Sequence, residues 1–152
     1  LKNIDFCFLL SLLIVNETDN SDYFFYKFNI SKKYQKRILI IKDFFYTNKE
    51  NKKINTQNLW KIFYKYGKES LKDILNYKLF ISKKADKKII DYLKFFDEKK
   101  IPIFPIKGED LMKKFDIPQG KKVGENLKLA EDYWINNNFK ISDKELEKIV
   151  KN

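Results

Sequence analysis

The sequence contains no histidine, one cysteine, one methionine, three prolines and four glycines in 152 residues. Without histidine there is no Ser-His or Cys-His nucleophile and no imidazole ligand for a metal. A lone cysteine, Cys7, excludes a disulfide framework and a thiolate zinc site, and makes a reducing, cytoplasmic setting the expectation. So little glycine and proline excludes collagen-like or low-complexity architecture. Arginine is nearly missing as well, Arg37 being the only one. No apolar run is long enough to span a bilayer. Ile4 to Val15, broken by Asp5 and Ser11, falls short of the about 20 residues a spanning helix requires. No small-x-small cleavage site follows Val15, so a buried helix is expected there rather than a signal peptide, and no membrane partner is expected. The chain starts at Leu1 rather than Met, which reads as a fragment or an alternative start.

What is present is apolar and basic. Apolar residues make 43% and charged residues 35%, a balance that supports a packed core over disorder. A chain of this length buries about 70% of its unfolded surface, enough for one domain or two small helical lobes. The formal charge is +11 with a pI near 9.5, which favours a polyanionic partner, nucleic acid before anionic membrane. Enrichment in Ile, Asn, Lys, Phe and Tyr is also what an AT-rich coding sequence produces, so the charge supports a function without assigning one. Lysine is a point charge and suits phosphate backbones better than base edges.

Periodicity predicts helices throughout and no sheet: an all-α, irregular bundle of about seven to nine short helices. Over residues 32–46, Tyr34, Ile38, Ile41 and Phe45 form one stripe, with Ser31 placed to cap. Residues 47–55 are polar and read as a loop. Leu59, Phe63 and Tyr66 mark a helix that Gly67 stops, and Leu71, Ile74 and Leu75 mark another. Ser82 is expected to cap a helix carrying Ala85, Ile89, Leu93 and Phe96. Two prolines make residues 101–106 extended. Gly108 precedes a short helix, and Pro118 with Gly120 makes a turn. Val123, Leu127, Ala130 and Trp134 form a helix stripe, and Ser142 with Glu145 a capping box. The division expected is a helical body-like region over residues 1–100 and a helical tail-like region over 101–152 with two glycine-containing turn-helix units.

The stretch Phe104-Pro105-Ile106-Lys107-Gly108-Glu109-Asp110-Leu111, then Pro118-Gln119-Gly120-Lys121-Lys122-Val123-Gly124-Glu125-Asn126-Leu127, then Glu131-Asp132-Tyr133-Trp134 and Asn138-Phe139, resembles the C-terminal region of bacterial class II CCA-adding tRNA nucleotidyltransferases, a family shared with bacterial poly(A) polymerases. Gly108, Asp110, Leu111, Gly124, Leu127 and Trp134 match that pattern in order and spacing, while the turn lacks the family's second proline. Residues 28–37 look like the start of the family's body helix, and Trp60 to Gly67 like its aromatic, glycine-terminated helix. The resemblance implies a tRNA- or RNA-binding body-and-tail part that holds the acceptor and T arms. The family's catalytic motifs are missing: no Gly-Gly-x-x-Arg-Asp loop, no two aspartates one residue apart, and no Glu-Asp-x-x-Arg. Glu17-Thr18-Asp19 has the spacing of a metal pair but lacks a β-hairpin context. No catalytic, metal or cofactor site is therefore expected here. Magnesium and CTP or ATP would belong to a head domain, encoded separately or in the same polypeptide.

Helix N-termini favour phosphate through their free N–H groups and dipole. The turn of residues 118–122 leads into one, with Lys121 and Lys122 adding charge and Gly124 allowing close backbone approach; Lys107 and Gly108 repeat the arrangement. These five are the candidate RNA-backbone contacts. For Gly124 the competing expectation is close helix packing. Lys32, Lys33, Lys36 and Arg37 form a second basic face, and Trp60, Tyr64 and Tyr66 read as core rather than as stacking platforms. Three functions remain open from sequence: a non-catalytic RNA-binding part of a CCA-adding enzyme or poly(A) polymerase, a gene remnant without a task, or a basic module on an anionic membrane or protein with residues 4–15 as its apolar contact.

Overall fold

In the computed structural model, residues 5–15, 20–47, 54–82 and 86–151 are described. Among them are eight α-helices and no strand: α1 (Phe6–Ile14), α2 (Ser21–Lys27), α3 (Lys32–Lys42), α4 (Thr56–Ile81), α5 (Lys87–Asp97), α6 (Gly108–Phe115), α7 (Lys121–Asn136) and α8 (Asp143–Lys151). They fall into two units, residues 1–101 and 102–152. Glu17, Asp19, Ala85 and most of the expected loop of residues 47–55 lie outside the described residues.

In the first unit, helix starts follow short polar side chains. The Asp5 carboxylate accepts from the Cys7 N–H at 3.0 Å, Ser31 Oγ from the Tyr34 N–H at 3.5 Å and Asn55 from the Asn58 N–H at 2.9 Å. Ser82 does not cap α5. Its backbone N–H and its Oγ both donate to the Lys78 carbonyl, closing α4, and Asp86 caps α5 through the Lys88 N–H at 3.0 Å. A serine hydroxyl bonds a carbonyl one turn back as readily as an amide one turn ahead, so the residue alone does not give the direction.

Two backbone breaks mark the first unit. Asp43–Thr47 wind as a π-helical turn, where Phe44 is buried and Phe45 packs against the same core, its ring 4.9 Å from that of Tyr77. Gly67, at φ 84°, is non-helical and breaks α4 into two helical segments at a kink, the stop its sequence position indicates, and Leu71, Ile74 and Leu75 of the second segment continue into the same core.

That core holds Ile38 and Ile41 of α3, Leu59, Phe63, Leu71 and Leu75 of α4, and Ile89 and Phe96 of α5, all nearly inaccessible. Trp60, Phe63, Phe95 and Phe96 form an aromatic cluster with centroids 5.0–6.1 Å apart, mostly edge to face. Helix α1 buries Cys7, Phe8, Ser11 and Ile14 and exposes Phe6, Leu9 and Leu13, so Phe6–Ile14 is a half-buried helix. The Tyr77 hydroxyl ties α4 to the end of α1, donating to the Val15 carbonyl at 2.8 Å. No described helix is long and apolar enough to cross a membrane.

Three helices meet at one guanidinium. Arg37 of α3 donates from Nε and Nη2 to the Asp73 carboxylate of α4 at 2.8 and 2.9 Å and also pairs with Asp5 ahead of α1. The Arg37 side chain is 11% exposed and that of Asp73 6%. Burial pushes the Asp73 carboxyl above the usual carboxylate range, and the two bonds from Arg37 pull against it.

In the second unit, residues 98–107 form no helix, as the prolines require, and Leu111, Ile117, Val123, Ala130, Leu146 and Val150 form the core. Trp134 is buried between Phe104 and Phe139, with centroids 5.4 and 4.8 Å away. Helix α7 ends with Asn138 and Phe139 at positive φ and the Phe139 N–H on the Trp134 carbonyl at 2.8 Å. Ser142 and Glu145 cap α8 reciprocally, the Ser142 N–H reaching the Glu145 carboxylate at 2.7 Å and the Glu145 N–H reaching Ser142 Oγ at 3.4 Å.

Arg37→Ala leaves the Asp73 carboxylate buried and unpaired, and urea denaturation should show a loss of about 3–5 kcal/mol. Replacing both residues, as Arg37→Met with Asp73→Leu, should recover most of it. Trp134→Ala empties a packed aromatic site and should cost about 3–5 kcal/mol by the same measurement.

Candidate nucleic-acid interface

Two helix starts in the second unit carry the expected phosphate contacts, and the structure makes them unlike. At α6 the Lys107 N–H donates to the Asp110 carboxylate at 2.9 Å, and Glu109 adds a second acid in the same turn. The positive end of this helix already holds negative charge. Gly108 is the first residue of α6. A Cβ on it would stand 3.4 Å from Val123 Cγ1 and 3.5 Å from Leu127 Cδ1, ordinary contact with α7 that leaves room for a methyl group.

At α7 nothing of the kind occurs. Gly120 stands at the N-cap, no side chain caps the helix, and the first turn has no acidic residue. Lys121 projects into solvent with its side chain 91% exposed, paired loosely with Glu125 at 3.4 Å, and Lys122 is exposed beside it. A Cβ on Gly124 would meet no atom within 4 Å. Helix packing therefore does not account for this glycine, and it does not require one at Gly108 either.

The α7 start borders a groove of about 700 Å³ whose lining includes Lys113, Lys114, Pro118, Lys122 and Lys151. Asp116 and Glu147 also line it; Lys114 pairs with Asp143 and Lys151 with Glu147. Lys113, Lys114 and Lys151 escaped sequence reading because they come from two helices, α6 and α8, that are far apart in the chain. Their convergence depends on Asp116, which closes α6 in the left-handed conformation at φ 51° without a glycine to announce it. Asn126 of α7 is buried, with its side-chain Nδ2 lacking a hydrogen-bond partner among the described residues.

The second basic face belongs to the first unit. Lys32, Lys33 and Lys36 are exposed on α3. Arg37 is not part of that face in any available sense, since its guanidinium is held inside by Asp73 and Asp5. Tyr66 is half-buried and lines a groove with Lys32 and Lys36, while Trp60 is packed in the aromatic cluster.

Polymerase-type phosphoryl transfer needs paired carboxylates around two divalent ions. The carboxylates with described partners are otherwise engaged. Asp5 and Asp73 face Arg37. Bonds from Lys72 and Lys68 hold the Asp97 carboxyl below its usual range. Glu145 and Glu147, one residue apart on α8, are bound by Tyr133 and Ser142 and by Lys151 respectively. No group of three His, Cys, Asp or Glu residues is placed to hold a metal among the described residues. Burial pushes the Cys7 thiol up to about 11, leaving it protonated near neutrality and no nucleophile.

Because nothing crowds Gly124, Gly124→Ala should raise stability by up to about 1 kcal/mol through helix propensity, read as an increased melting temperature. Gly108→Ala should give less or none, since Gly108 is the first residue of α6 rather than an interior one.

The family model described as tRNA nucleotidyltransferase domain 2 matches residues 3–150. No curated protein and no solved structure matches the chain.

Proposed function

The chain belongs to the tRNA nucleotidyltransferase domain 2 family, and from that premise we propose that it is an RNA-gripping part of a CCA-adding or poly(A)-adding enzyme, holding the tRNA acceptor and T arms while a catalytic head supplies the chemistry. The head, in the same or another polypeptide, would bring the acidic pair, magnesium and the incoming CTP or ATP. On this reading the chain alone transfers no nucleotide and works in the cytoplasm, where tRNA is processed.

The observation that carries the reading is the open start of α7. Its dipole is unopposed by any acid in its first turn, two exposed lysines flank it, and an uncrowded glycine lets a backbone come close. Those features suit a phosphate diester, with the lysines of the adjoining groove continuing the path for the next phosphates. Lys107 contributes charge from beside α6, while the α6 start itself, closed by Asp110, does not take part. Lys32, Lys33 and Lys36 give the first unit a backbone contact of its own. The exposed apolar face of α1, with Phe6, Leu9 and Leu13, supports a protein contact in addition, and the head domain is the partner it suits.

Binding of a tRNA transcript should weaken steeply with salt. Lys121→Ala with Lys122→Ala should flatten the slope of log K against log salt by about one to two units. An unchanged slope would remove both lysines from the interface. Gly124→Ala should weaken the same binding while raising the melting temperature; a variant that is more stable and binds equally well would show that no backbone approaches there.

A further inference from the structure

The first unit has a groove of about 450 Å³ between α3 and α4, lined by Lys32, Gln35, Lys36, Leu39, Ile40, Asp43 and Tyr66. We propose that it takes one unpaired nucleotide of a bound RNA, its base lying against Tyr66, Leu39 and Ile40 and its phosphate meeting Lys32 and Lys36. The proposal rests on the RNA-binding reading above and adds to it a preference for single-stranded over paired nucleotides.

The walls are amphipathic in the manner a nucleotide requires. Leu39 is 40% exposed, although the stripe around it is core, so an apolar floor is left without a covering side chain. Lys32 and Lys36 stand one helical turn apart and both are exposed. Lys36 forms no ion pair among the described residues, and Lys32 only donates to Gln35 Oε1 at 3.4 Å. The Gln35 amide is itself fixed, donating to the Ile30 carbonyl at 2.7 Å. Tyr66 immediately precedes the Gly67 break in α4, and the Lys65 ammonium lies 5.3 Å from its ring centroid, a third positive charge beside one acid, Asp43. The volume falls within the about 300–1,000 Å³ of small-molecule sites. A duplex keeps its bases stacked and offers this groove only phosphates, whereas an unpaired base can leave the stack and lie on an aromatic ring. An acidic protein segment would satisfy the lysines but gains nothing from the ring, and it is separated from RNA by the experiment.

The test compares a blunt RNA hairpin with the same hairpin carrying a short 3′ single-stranded tail that contains 2-aminopurine. Fluorescence anisotropy should show the wild-type chain binding the tailed hairpin about fivefold or more tighter, with quenching of the 2-aminopurine emission. Tyr66→Leu should abolish both the preference and the quenching while leaving blunt-hairpin affinity unchanged. Lys32→Ala with Lys36→Ala, at exposed positions, should lower tailed affinity more than blunt affinity, and this pair decides the matter if Tyr66→Leu does not fold. Equal binding of the two hairpins, or a preference surviving both variants, overturns the groove and leaves the RNA reading standing. Binding of neither hairpin at low salt removes the RNA reading and the groove together, and leaves an acidic protein partner as the occupant to pursue.

Discussion

The bidentate bond between Arg37 and Asp73 governs how this chain can carry charge. It joins α3 to α4 at the point where Asp5 brings in α1, and it does so in a nearly inaccessible site. Guanidinium is suited to this position because its planar fork meets both carboxylate oxygens at once. The consequence reaches the surface. With the sole arginine committed inside, every outward positive side chain is lysine, which suits phosphate backbones better than base edges. A surface of this kind supports the proposed role of holding RNA for a neighbouring catalyst.

Within the second unit the decisive contrast is between two neighbouring helix starts built from similar sequence. Both carry glycine and both have lysine nearby, α6 following an extended segment and α7 a bend. One carboxylate separates them. Asp110 returns to the N–H of Lys107 and neutralises α6, while Val123 occupies the corresponding third position of α7 and points into the core. The acid makes α6 a self-contained structural helix, and its absence leaves α7 with an unanswered dipole beside a lysine-lined groove. The two glycines differ in their surroundings, a Cβ on Gly108 reaching ordinary contact with α7 and one on Gly124 reaching open space.

The helical class was legible because the apolar stripes are long and unambiguous. Val123, Leu127, Ala130 and Trp134 lie on the inner face of α7, and Ser31 and the Ser142–Glu145 pair cap where their spacing indicates. What was not legible depends on register or on distance. The π-turn at residues 43–47 brings Phe44 into the core beside Phe45, and nothing in an apolar run marks such a turn. Ser82 bonds backward rather than forward, a choice made by which neighbouring helix is there to receive it. Of the site, Lys121, Lys122 and Gly124 were accessible from sequence because they are consecutive with the helix start. Arg37 looked like one more surface charge since Asp73 is thirty-six residues away. Lys113, Lys114 and Lys151 come together only after a left-handed aspartate has turned the chain.

The central claim is that, of the two adjacent helix starts, only that of α7 receives an RNA phosphate. Amide NMR spectra recorded while a short tRNA acceptor-stem duplex is titrated into the uniformly labelled chain test it directly. The account predicts that the resonances of Lys121, Lys122, Val123 and Gly124 shift progressively, while those of Gly108, Glu109 and Asp110 stay in place. Comparable movement at α6, or a silent α7, would contradict it.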